Sequence, residues 1–116
     1  MKRQIAEQSG RDGERRAALW LRAKGWQILD SRVKTPAGEI DLVAKRGSLI
    51  SFVEVKWRKK REELDYAIDQ HRLSRVAAAA EAVAHRYAQG GEDIRVDVIL
   101  LAPGAFPRHI PNAWQP

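Results

Sequence analysis

Asp41, Glu54 and Lys56 are charged residues set inside apolar runs. Asp41 lies within Gly38-Glu39-Ile40-Asp41-Leu42-Val43-Ala44, and Glu54-Val55-Lys56 interrupts the run from Leu49 to Trp57. A buried charge without a partner is costly and tends to neutralise itself, so such positions demand compensation. Two carboxylates and a lysine held in such surroundings point to a divalent-cation site. A hydrated hard cation beside a lysine is equipment for cutting phosphodiesters, because it can lower the pKa of a bound water and neutralise charge on phosphate. Glu-x-Lys by itself is usually a solvent-facing strand pair. Its weight here comes from the elements that carry it.

Gly47-Ser48 is a two-residue link of the kind a type II′ hairpin uses, between strands running from Glu39 to about Arg46 and from Leu49 to Trp57. That turn sets Arg46 opposite Leu49, Ala44 opposite Ser51 and Asp41 opposite Glu54. Opposed residues share a face, and Lys56 lies on the side of Glu54 by the two-residue period, so all three converge. Glu39 is expected on the opposite face from Asp41.

Upstream, residues from about Arg11 to Lys24 read as a helix with Ala17, Ala18 and Leu21 inward and Gly25 placed to end it. Arg11, Arg15 and Arg22 share its outer face. Trp26 begins an extended segment that the turn chemistry of Thr35-Pro36-Ala37-Gly38 closes. Downstream, a second helix spans about Asp69 to Ala88, capped by Asp69 and stopped by Gly90-Gly91, with Leu73, Val76, Ala80 and Val83 inward. Ile94 to Leu101 is a mostly apolar, interior strand. The order helix, strand, strand, strand, helix, strand predicts a small α/β sandwich in which helices cover a mixed sheet. Residues 1–116 are expected to form one domain, with 103–116 an irregular tail.

The net charge of +6 and pI near 10.1 make polyanions such as DNA the expected partners. Absence of cysteine excludes disulfides, thiolate zinc and a cysteine nucleophile. No run approaches the roughly 18 apolar residues of a membrane span, and the polar start is no secretory signal. The expected partner is therefore no membrane, and the expected location is the cytoplasm. Arg58-Lys59-Lys60-Arg61, directly after the lysine, reads as a phosphate clamp leading DNA to the site; the competing reading is a solvated loop that Glu62 and Glu63 partly neutralise. His71, His85 and His109 have no ligand spacing with a carboxylate.

The pattern Gly-Glu-Ile-Asp-Leu-Val-Ala, a short turn, then Phe-Val-Glu-Val-Lys-Trp-Arg resembles the YraN-like family of small bacterial proteins, assigned to the PD-(D/E)xK, or restriction-endonuclease-like, fold. Gly13-Glu14 with Ala17 and Leu21, Gly25, Arg95-Val96-Asp97 and Ile110-Pro111-Asn112-Ala113-Trp114 extend the resemblance over nearly the whole chain. It implies that Asp41 is the metal-binding aspartate, Glu54 the second acidic ligand, Lys56 the catalytic lysine and Glu14 the helix glutamate beside the metal. Arg72 stands about where the family often has a basic residue. Ile40 replaces the proline of the motif name, a position without chemistry of its own.

By that resemblance, Mg²⁺ or Mn²⁺ would be bound by Asp41 and Glu54, with the Val55 carbonyl and Glu14 completing the set. Lys56 would orient or deprotonate the attacking water. Arg11, Arg15 and Arg72, with the basic run at Arg58, would hold the substrate. The expected function is a metal-dependent deoxyribonuclease acting on branched or repair and recombination intermediates, similar in arrangement to archaeal Holliday-junction resolvases. The alternative is a non-catalytic DNA-binding module that kept the fold and the charge. One site per chain means that cutting both strands together takes a homodimer or two successive events.

Overall fold

Gly47 adopts φ 61°, the left-handed conformation that the first position of a type II′ turn requires and that glycine takes without a Cβ clash. It joins β2 (Gly38–Arg46) to β3 (Leu49–Trp57) in the expected register, Arg46 opposite Leu49 and Ala44 opposite Ser51. A computed structural model of the chain describes residues 2–60 and 69–114, and in the first helix side chains from residue 11 onward. Around the hairpin, β1 (Gln27–Thr35) pairs antiparallel with β2, and β4 (Asp93–Leu101) runs parallel to β3. The sheet has five strands in the order β1-β2-β3-β4-β5, closed by the short β5 (Arg108–Ile110).

Among the described residues two helices, α1 (Lys2–Ala23) and α2 (Gln70–Tyr87), serve the two apolar clusters of the sheet. Ala17, Ala18 and Leu21 of α1 pack with Trp26, Leu42, Ala44, Val53, Ile99 and Leu101. Leu73, Val76, Ala79, Ala80 and Val83 of α2 pack with Ile40, Val43, Ile50, Phe52, Val96, Val98 and Leu100. Successive residues Phe52 and Val53, or Ile99 and Leu100, feed opposite clusters. This is why β3 and β4 read as continuous apolar runs rather than as alternating ones. The Asp69 carboxylate accepts from the N–H groups of His71 and Arg72 at 3.0 and 3.3 Å, starting α2 where expected.

Two expectations need correction. The first helix starts at Lys2, not near Arg11, because Gly10 and Gly13 lower helix propensity without forbidding the conformation. The tail expected to be irregular contains β5, which pairs antiparallel with Val98–Leu100 and adds a strand to the expected order. A buried carboxylate organises it. Asp97 takes Nε and Nη2 of Arg95 at 2.8 and 3.1 Å, meets His109 Nε2 at 2.8 Å, and accepts the Asn112 N–H at 2.9 Å. The Ala113 N–H then donates to the Val96 carbonyl at 2.8 Å, and Trp114 packs on the α2-side cluster. Three strand residues between two prolines show no periodicity, so the pairing is invisible until Asp97 has its partners.

Candidate active site

The β2–β3 ladder ends at Leu42 opposite Val53. One step further, where Asp41 and Glu54 would face each other, a side chain replaces the ladder bond: Asp41 Oδ2 accepts the Val55 N–H at 2.7 Å. Ile40 and Val43 both feed the α2-side cluster while Leu42 and Ala44 feed the other, so strict alternation along β2 breaks around Asp41. The edge strand is irregular at the same level. Ser31 pairs with Leu42 and Val33 with Ile40, which sets Arg32 across from Asp41, and Arg32 has φ 52°. A residue with a Cβ adopts that conformation in a strand only when its surroundings hold it there.

Glu54 is the most buried of the expected site residues, at 1% exposure. Its Oε1 accepts Arg72 Nε at 2.7 Å and lies 3.6 Å from Lys56 Nζ. Its Oε2 is buried with no hydrogen-bond partner among the described residues. Burial, and then the Glu54 carboxylate, push the half-buried Asp41 up to about 7, against the opposing pull of the Val55 N–H. Glu54 thus has Asp41 within electrostatic reach and Lys56 Nζ at 3.6 Å, although the expected pairing of Asp41 opposite Glu54 lies beyond the last ladder pair, Leu42 with Val53.

Glu14 stands within electrostatic reach of Asp41, but its Oε2 is held by Arg32 Nε at 2.8 Å. Among the described residues no three acidic, histidine or cysteine side chains are gathered tightly enough to hold a metal ion. The expected ligand set divides into a pair, Asp41 and Glu54, and a separate ion pair, Glu14 with Arg32. The pair fits a hard divalent cation. Mg²⁺ is commonly held by one or two carboxylates while keeping several waters, Glu54 has an oxygen with no donor among the described residues, and the mutual repulsion of the two carboxylates is what a cation would relieve.

Glu54 opens into a cavity of about 470 Å³ lined also by Lys34, Glu39, Arg72 and Arg75. Glu39, expected on the opposite face from Asp41, therefore belongs to this cavity beside Glu54. Lys34 and Arg75 were not among the expected residues. Arg75 follows Arg72 by one helical turn, a spacing that could have signalled it, whereas Lys34 is placed by the pairing of β1 with β2 opposite Glu39. Gly38 packs so closely on α2 that a Cβ there would stand 3.0 Å from the Arg75 carbonyl oxygen. Of the expected substrate contacts, Arg72 is engaged with Glu54, and Arg11 and Arg15 line a second cleft. Arg58 continues from β3 with its N–H on the Leu101 carbonyl, and Lys59 and Lys60 are exposed. Arg61 lies outside the described residues.

A five-stranded mixed sheet with β2 and β3 as its hairpin and helices packed on both clusters is a restriction-endonuclease-like fold. A solved structure of Hjc from Archaeoglobus fulgidus, a Holliday junction resolvase from an archaeal hyperthermophile, is similar with a TM-score of 0.58. The likeness covers 84% of this chain and 72% of that one at 21% identity, and at that identity it speaks for the fold alone. The model of the uncharacterised protein family UPF0102 matches residues 13–101, and the chain belongs to that family, the YraN-like one its sequence resembles. The UPF0102 protein of Erythrobacter litoralis is 83% identical over 116 residues, and that of Sphingopyxis alaskensis 56% identical over 116, each covering 100% of both chains.

Proposed function

We propose that this protein is a divalent-metal-dependent nuclease that hydrolyses DNA phosphodiesters, with branched or repair intermediates as its substrates. The observation that carries this reading is the buried Glu54 carboxylate with Asp41 within electrostatic reach and Lys56 at 3.6 Å, where the hairpin ladder stops. Asp41 and Glu54 would hold Mg²⁺ or Mn²⁺, with the Val55 carbonyl as a further ligand. The bound cation would supply an acidified water and neutralise charge on phosphate. Lys56, one-fifth exposed and 3.6 Å from Glu54, would orient that water or take its proton. Arg72 is a placeholder in this reading. It is paired with Glu54, and its half-exposed side chain could turn to a phosphate in the cavity it lines with Lys34 and Arg75. The similar Hjc fold supports DNA as the polymer, and the basic charge supports it independently. The whole chain would act as one nuclease unit in the cytoplasm, alone or as a homodimer.

One contact favours a second reading. The Arg72–Glu54 pair at 2.7 Å puts a cation from the protein where the metal would be neutralised, as a retired site in a DNA-binding module would have it. Purified protein incubated with linear, nicked and four-way DNA, in Mg²⁺, Mn²⁺ or chelator, separates the two. Cleavage that Asp41→Ala abolishes while binding persists supports the enzyme. Binding without metal-dependent cleavage of any substrate supports the module.

A further inference from the structure

A second cleft, of about 350 Å³, lies between α1 and β1 and is lined by Arg11, Arg15, Arg22, Arg32, Glu14 and Ser31 among others. Four arginines and a single glutamate are among the residues that line it. Arg11 and Arg22 have no ion-pair partner among the described residues, and Arg15 reaches Asp12 only at 4.0 Å with both side chains exposed. Arg32 is the fixed member. Its positive φ carries it out of ordinary strand geometry, and Glu14 grips its Nε at 2.8 Å. No hydrogen bond among the described residues engages its two terminal nitrogens, the prongs with which arginine takes a phosphate.

The dimensions select the ligand. From Arg11 to Arg22 the helix rises roughly 16 Å at its usual pitch, which no single small anion spans. A nucleic-acid strand places a charge about every 3.4 Å along its axis, so about four or five backbone steps match that length. We infer that the cleft between α1 and β1 is a subsite for the phosphodiester backbone flanking the cut, anchored by Arg32, and that Glu14 serves it by positioning Arg32 instead of ligating the metal. The inference takes the nucleic-acid substrate from the function proposed above but not its metal chemistry. Arg32 stands across from Asp41, so a strand held here continues from the carboxylate pair along the α1 side of the molecule.

The test is made in chelator, where no cleavage can occur. Affinity for a labelled DNA duplex is measured by fluorescence anisotropy over a range of salt for the full chain. The double variant Arg11→Ala/Arg22→Ala, with both changes on an exposed helix face, should bind more weakly. Its slope of log affinity against log salt should be shallower by about one unit for each phosphate that the variant no longer neutralises. Arg32→Ala should weaken binding more than either helix change, and Arg32→Lys, which keeps the charge and the fold, should weaken it less. Glu14→Gln keeps an acceptor for Arg32 and should retain affinity. Glu14→Ala should bind the duplex several-fold more weakly although it removes a negative charge, while Mn²⁺ affinity measured by calorimetry stays at the wild-type value in both. Unchanged slopes in the arginine variants, no wild-type affinity for duplex, or displacement of duplex by inorganic phosphate at equal phosphate concentration would overturn the subsite. A fall in Mn²⁺ affinity in Glu14→Gln would return that residue to the metal. Slopes as expected together with no cleavage under any metal would leave the subsite standing and sink the nuclease.

Discussion

Two buried carboxylates in this chain are treated by the fold in opposite ways. Asp97, with no exposed surface, is surrounded by donors. Burial alone would raise its pKa, but His109, Arg95 and the Asn112 N–H outweigh burial and hold it at about 2. Because the folded carboxyl is the stronger acid, unfolding takes up a proton below about pH 4. Stability from Asp97 is therefore complete above that pH and is lost as pH falls from about 4 towards 2. Asp97→Asn should cost on the order of 2–3 kcal/mol at pH 7, with the difference from wild type shrinking across that acid window in chemical denaturation. At Glu54, by contrast, one oxygen has no donor among the described residues and its neighbour Asp41 is pushed up instead of down. Arg72 is the cheapest neutraliser within reach, and being half exposed it is replaceable. Arg72→Ala should destabilise the metal-free protein by about 1–3 kcal/mol and tighten Mn²⁺ binding, both readable from denaturation and calorimetry. Weaker Mn²⁺ binding in that variant would mean that Arg72 supports the site and does not compete for it.

At the scale of elements, much of the site was legible in the sequence because hairpin geometry is local. A Gly-Ser link and a two-residue period were enough to set the hairpin from Arg46 opposite Leu49 to Leu42 opposite Val53 and Lys56 beside Glu54, whereas the break in alternation at Asp41 left no signal in the sequence. The start of α2 was legible for the same reason, since Asp69 acts within a turn of itself, whereas its C-cap is Ala88 and not the expected Gly90-Gly91. Arg32 was not. Its role depends on a left-handed residue in an edge strand and on a glutamate eighteen positions away, and neither leaves a periodic trace. Nor was β5, whose pairing rests on Asp97 as much as on any strand propensity. The turn between β1 and β2 shows what such packing demands. Gly38→Ala would press a methyl group against the Arg75 carbonyl of a helix that cannot easily retreat. A net loss of about 1 kcal/mol is expected, the clash exceeding the entropic gain of removing glycine. A denaturation midpoint at or above that of wild type would show that the turn has room to move.

Taken whole, the molecule sets its carboxylate pair between two cationic clefts. One, with Lys34, Arg72 and Arg75, opens at Glu54; the other, with four arginines, opens along α1. The fold supplies the placement, the charge supplies long-range attraction to a polyanion, and the chemistry is asked of three side chains. The resemblance to the YraN-like family implied those three and the fold, whereas the division of the arginines between two clefts emerged only with the strands in place. Single-turnover cleavage of a labelled four-way DNA in Mg²⁺, with wild type and Lys56→Gln both at saturating concentration, tests the claim on which all of this rests. The account predicts cleavage by wild type and a rate on the order of 10²-fold or more lower in Lys56→Gln with DNA affinity unchanged. Equal rates in the two proteins, or an intact junction with wild type in every metal, would contradict it.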